Sequence, residues 1–199
     1  MENVEFRIFK KGRGPIITAN RVVYGLGLIS ASFIYLIPKY LQEGVTEKIG
    51  VFGMFLTLVL MVIFGFTKFF TRKSLSGTLD QVLKFCENEI GVGDQRFSLK
   101  DINKIEFTVG DYFDQMEYSE SNLNPARSNG TSNTCRLILT NGTRIEVKFQ
   151  LIEKFEFRKM RELLIHYHTS GKIHFLSLID YLGIKDYKEI QEFKKSLPR

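Results

Sequence analysis

The chain is poor in the residues that most chemistry requires. It has two cysteines, Cys86 and Cys135, and three histidines, His166, His168 and His174. His166 and His168 are two apart on a predicted helix, so they point about 200° from each other and cannot share an ion. Zinc takes three or four protein ligands. The acidic run Asp111, Asp114, Glu117 and Glu120 lacks the spacing of a calcium loop. There is no Gly-x-Ser-x-Gly, and Gly91-Val92-Gly93-Asp94 is too short for a phosphate loop, with no Gly-Lys-Ser/Thr after it. Neither cysteine has a base near it in sequence. The expectation is a non-catalytic protein without cofactor or metal.

Charge is also missing from two long stretches. Val22–Ile37 and Ile49–Phe66 contain no Asp, Glu, Lys, Arg or His. A helix needs roughly 20 apolar residues to cross about 30 Å of hydrocarbon. The expectation is a transmembrane hairpin over residues 22–70, with spans at about 22–41 and 49–66. The first span runs through Pro38 if Lys39 snorkels to the headgroups. Charge-free spans make ion pathways and proton relays poor candidates. Small residues mark both spans: Gly27 and Ala31 are four apart in the first, and Gly50 and Gly53 open the second. Small side chains let helix backbones approach closely in lipid, which suits packing within the hairpin or an oligomer interface.

The net charge of +6 is unevenly shared. Residues 1–73 hold ten Lys/Arg against four Asp/Glu, whereas residues 74–199 hold eighteen of each. A neutral domain argues against nucleic acid, whose binding needs a basic face. The basic residues flank the spans: Lys10, Lys11, Arg13 and Arg21 before the first, and Lys68, Arg72 and Lys73 after the second. An excess of Lys/Arg marks the cytoplasmic side. Residues 1–21 are therefore read as a basic cytoplasmic N-terminus, and both termini as cytoplasmic. The basic flanks would attract anionic lipid headgroups without specificity. The cysteines would then be reduced and free.

Beyond Gly77 the pattern becomes that of strands. Ile105, Phe107 and Val109 alternate with Glu106 and Thr108. Two alternating runs over Arg136–Phe149 flank Asn141-Gly142, a dipeptide favoured in type I′ turns. Residues 112–133 are polar and read as a long mobile loop, a length that is often functional. Apolar residues at three- to five-residue steps from Ile152 to Tyr167 predict an amphipathic helix ended by Gly171, and residues 169–199 a helical extension. The fold class is α+β: a helical hairpin, then a small antiparallel β-barrel or curved sheet capped by a C-terminal helix.

The run Gly77-Thr-Leu, Phe85, Ile90-Gly-Val and Phe97-Ser-Leu-Lys-Asp-Ile-Asn-Lys-Ile-Glu-Phe107 resembles the opening of the pleckstrin-homology-like (PH-like) domains of bacterial membrane proteins. The resemblance covers residues 77–168. It implies a bacterial cytoplasmic membrane and a domain that serves as a scaffold. Lipid-binding members of the wider family place Lys/Arg between their first two strands. Here that loop is expected to be Glu87-Asn88-Glu89, whose charge would repel a phosphorylated headgroup.

Asp111, Tyr112 and Phe113 are the candidate interaction surface, because aromatics beside polar sequence are common at interfaces. The alternative is that Tyr112 and Phe113 pack at a strand end. These features lead to a membrane-anchored scaffold that binds a protein partner or itself. Two alternatives remain open: an accessory subunit of a transport or envelope complex that uses its spans as the interface, and a small-ligand or lipid-binding domain.

Overall fold

The computed structural model describes residues 2–12, 17–36, 44–117 and 123–197. The chain divides into two compact units. One, the sheet unit, combines Met1–Gly12, Gly77–Gln115 and Asn129–Arg199; the other, the helical unit, combines Arg13–Ser76 and Met116–Ser128.

The sheet unit is α+β. Its strands are β1 (Val4–Lys11), β2 (Gly77–Phe85), β3 (Glu89–Val92), β4 (Gln95–Ser98), β5 (Ile102–Thr108), β8 (Asn133–Leu139) and β9 (Arg144–Phe149). Two further short strands, β6 (Phe113–Met116) and β7 (Arg127–Asn129), form a separate pair. The seven strands lie in the order β4-β3-β2-β1-β9-β8-β5, each antiparallel to its neighbour. β4 and β5 form the two edges and do not pair with one another, so the sheet is not a closed barrel. A 3-10 turn, Leu99–Asp101, joins them in sequence.

β1 corrects the reading of residues 1–21 as a basic tail. Val4, Phe6 and Ile8 are buried while Glu5 and Arg7 are exposed, the period-two alternation of a strand with one face on a core. Lys10 and Lys11 end this strand, opposite Thr78 and Gly77 of β2. The first two strands are therefore joined by the whole of residues 12–76. Glu87-Asn88-Glu89 lies at the β2–β3 turn instead, so its charge says nothing about headgroup binding at the connection between the first two strands.

The core is built around phenylalanine. Phe6 of β1 meets Phe149 of β9 at 5.2 Å between ring centroids and Phe85 of β2 at 6.1 Å. Phe107 of β5 lies 5.6 Å from Phe85 and 5.2 Å from Phe157. Tilted and edge-on pairs of this kind add about 0.5–1.5 kcal/mol each beyond burial. Phe157 belongs to a 3-10 turn, Glu156–Met160, that leads into α3 (Arg161–Thr169). The predicted helix is thus shorter than its pattern. α3 buries Leu163, Leu164 and Tyr167, and the Tyr167 hydroxyl donates to the Cys86 carbonyl at 2.6 Å. α4 (Phe175–Leu182) and α5 (Tyr187–Ser196) add Leu178, Ile179 and Phe193 to the same core. The C-terminal extension is therefore integral to the sheet unit.

Two local readings change. Asn141 does not adopt positive φ; Gly142 alone does, at 84°, and the Asn141 side chain accepts the Thr143 N–H. The turn is therefore not type I′. Within the expected loop of residues 112–133, the described parts include β6, β7 and the first residue of β8, and residues 118–122 lie outside the described residues.

In the helical unit, α1 (Ala19–Tyr35) is capped by Thr18, whose side chain accepts the Arg21 N–H. α2 (Val45–Thr67) follows. α2 is long and apolar enough to cross a membrane, and only 11% of its most apolar window is buried. α1 has 17 residues, about 26 Å at 1.5 Å per residue, short of a full crossing. The remainder of the expected first span, residues 37–41, lies outside the described residues.

α1 and α2 pack antiparallel through small residues. A Cβ on Gly27 would touch Thr57 at 3.5 Å, one on Gly53 would overlap the Ser30 hydroxyl, and one on Gly50 would lie 2.5 Å from Ile34. Positions rising along α1 meet positions falling along α2. Ser30 and Thr57 spend their hydroxyls on the Leu26 and Gly53 carbonyls, while the Thr46 hydroxyl, at the start of α2, is buried without a partner among the described residues. The segment after residue 122 ties the helix ends together: the Leu123 N–H donates to the Asn20 side chain, and the Ala126 N–H to the Lys68 carbonyl.

Candidate functional site

The outer edge of β5 opens onto a cleft of about 520 Å³. One wall is the strand and its continuation, Phe107–Tyr112. The second is Leu151 with Lys154–Arg158, and the third is the end of α4, Asp180–Gly183. Phe107 and Phe157 are largely buried and form the apolar floor. The Tyr181 ring stands edge-on to Phe107, with centroids 5.4 Å apart, and its hydroxyl accepts the Phe107 N–H at 2.9 Å. A side chain thus closes one hydrogen bond that a neighbouring strand would otherwise make.

One buried side chain shapes the far end. Asn133 is 1% exposed. Its oxygen accepts the N–H groups of Gly110 and Asp111, and its amide donates to the carbonyls of Asp111 and Gly130. A single amide therefore holds the chain where β5 turns away from the sheet. Gly130 sits beneath, at φ 69°, where a Cβ would overlap the Leu151 carbonyl. No side chain fits there. The Leu151 carbonyl in turn accepts the Phe113 N–H at 2.9 Å.

The three residues of the candidate interaction surface divide. Asp111 and Tyr112 line the cleft, while Phe113 does not. Tyr112 is half-buried and packs against the core. One Asp111 carboxylate oxygen accepts the Ser132 N–H, and the other is buried without a hydrogen-bond partner. Such an orphaned acceptor costs about 1–3 kcal/mol.

Charge in the cleft is bipolar. Lys154 and Arg158 are exposed and lie over the ring of Phe155, at 5.5 Å and 4.2 Å from its centroid. Among the described residues neither has a carboxylate partner. Phe155 itself is 56% exposed. Asp180 lies at the opposite wall. The cleft thus presents charged groups, aromatic faces and backbone.

The remaining sequence candidates fall elsewhere. Gly27, Gly50 and Gly53 lie in the α1–α2 contact, with Ala31 half-buried in α1. Arg21 is in the first turn of α1, and Lys68, Arg72 and Lys73 follow α2, with Lys73 paired to Glu117. Arg13 lies outside the described residues. His166 and His168 take separate partners, the carbonyls of Glu87 and Ile173. Among the described residues no group of three His, Cys, Asp or Glu is placed to hold a metal. Burial pushes the Cys135 thiol and the Tyr167 hydroxyl upward, which keeps both protonated.

Sequence reasoning missed Lys154, Phe155, Arg158, Asp180 and Tyr181 as members of one site. Their pattern reads as a solvated helix face and a separate apolar cluster, and only the packing of α4 beside β5 brings them together. No protein-family model, no curated protein and no solved structure matches this chain.

Proposed function

We propose that the protein is a membrane-anchored, non-catalytic scaffold that presents a PH-like domain at the cytoplasmic face of a bacterial membrane. One observation carries the reading: the apolar side chains of α2 point away from its partner helix. Phe52, Phe55, Leu58, Val62 and Phe66 are each more than 60% exposed, and α2 buries only Thr46, Gly50 and Thr57. An apolar surface of this extent is unfavourable in water and is what hydrocarbon solvates. The antiparallel pairing of α1 with α2 and the basic residues at Arg21, Lys68, Arg72 and Lys73 support a paired crossing with both ends inside.

The domain assignment is supported by the strand order, in which two antiparallel runs, β1–β4 and β5-β8-β9, meet where β1 pairs with β9, with a helix after the last strand. The cleft beside β5 supports binding over catalysis. The accessory-subunit reading is weakened, because Gly27, Gly50 and Gly53 are spent on contact between the two helices.

The test is alkaline extraction and flotation of the full chain carrying a reporter after Arg199. Retention in the membrane, with the reporter active in the cytoplasm, is expected. Release into the supernatant, or reporter activity outside the cell, would reject the proposal.

A further inference from the structure

We infer that the cleft beside β5 takes an extended segment of a partner protein, paired by its backbone to the open Val109 N–H just past the end of β5 and carrying an acidic side chain for Lys154 and Arg158. This inference rests on the scaffold reading and names the partner's chemistry.

The edge is the first ground. In an antiparallel ladder, alternate residues turn their N–H and C=O groups to the same side. On β5 the outward set includes Ile105 and Phe107, whose N–H groups end on the Lys172 carbonyl and the Tyr181 hydroxyl. The C-terminal segment therefore covers the first part of the edge and a lone side chain the second. Val109 is next in the alternation and lines the cleft, and among the described residues its N–H has no hydrogen-bond partner. An open N–H that continues the strand, with space beside it, is what an added extended segment recognises.

Charge is the second ground. Lys154 and Arg158 are exposed, without carboxylate partners among the described residues, and stacked on Phe155. Their stems and the ring make an apolar shelf with two cationic heads, suited to an acidic residue next to an apolar one. Asp180 provides an opposite pole, which sets the direction of the segment. A lipid surface fits less well: one acidic side chain needs only the Lys154–Arg158 wall, whereas a layer of anionic headgroups would also face Asp111 and Asp180.

The experiment uses the full chain in nanodiscs and a random displayed-peptide library. Enriched sequences are expected to contain acidic residues, and synthetic copies should bind the unaltered protein. Val109→Pro removes the edge N–H at a position where an edge strand tolerates proline, and should weaken binding about tenfold. Lys154→Glu with Arg158→Glu reverses exposed charges and should weaken it at least about tenfold. Three results would overturn the inference: no enrichment, equal binding to all three proteins, or peptides without acidic residues. It would also fall if, without peptide, amides 151–161 gained exchange protection in phosphatidylglycerol discs over phosphatidylcholine discs, which would assign the shelf to lipid. Membrane retention is measured separately, so loss of peptide binding with retention intact rejects this inference alone.

Discussion

Phe85 and Phe55 are the same side chain in opposite circumstances. Phe85 is fully buried among Phe6 and Phe107 of the sheet unit, whereas Phe55 of α2 is 65% exposed. The sheet unit hides its apolar residues from water by alternation, one face in and one face out. The helical unit leaves most of its own uncovered and buries small and polar residues, Gly50, Thr57 and Ser30, at its helix contact. The first arrangement is driven by water; in the membrane setting proposed for α1 and α2, close backbone approach drives the second. Burial of apolar surface therefore reports stability in one unit and says little about it in the other.

The sharpest break of this comparison is Phe6→Ala. Removing a ring from the phenylalanine core should cost about 4 kcal/mol, read as a lower midpoint in chemical denaturation of the sheet unit. Phe55→Ala should leave that midpoint within about 0.5 kcal/mol of the unaltered protein, as an exposed substitution does. Next is Asn133→Ala, which strips partners from several buried backbone groups at once. It should destabilise the sheet unit by about 3 kcal/mol and raise amide exchange at Gly110 and Asp111.

Gly53→Leu tests the other unit. The side chain would drive into Ser30 and should weaken the α1–α2 contact by about 1–3 kcal/mol. Helix separation in detergent titrations would report it, with the denaturation midpoint of the sheet unit unchanged.

The smallest effect concerns the outer face of the sheet. There, a hydrogen bond from Lys104 and the nearby Arg136 hold the Glu106 carboxyl below its ordinary range. A depressed folded-state value stabilises above the unfolded value, and the gain disappears as pH falls through the folded one. Stability should thus decline on acidification below about pH 4.5, and Glu106→Gln should make that decline shallower by a few tenths of a kcal/mol at most, given its exposure.

Much of the β architecture could be read from alternation. β5, β8 and β9 follow runs of buried and exposed residues that the sequence displays openly. β1 shows the same alternation, Val4-Glu-Phe-Arg-Ile8, yet its basic residues and its place before an apolar stretch suggested a tail. Its partners lie more than 60 residues away across the helical segment, and local pattern carries no such pairing. The turn at Asn141-Gly142 was placed correctly and typed wrongly, because one left-handed residue satisfies it. Of the cleft, only Asp111 and Tyr112 were legible. Lys154, Arg158 and Asp180 come together through tertiary packing of the 3-10 turn and α4, for which the sequence has no periodic signature.

Because Lys11 is paired with Gly77, everything between them enters and leaves the sheet at one point, as an insert would. A soluble fragment cut at residue 74 lacks the central strand and leaves β2 and β9 facing a gap. Excising residues 12–76 and bridging the two ends with a tight turn should instead yield a water-soluble hairpin-connected domain, the form in which the cleft is best crystallised with a bound peptide.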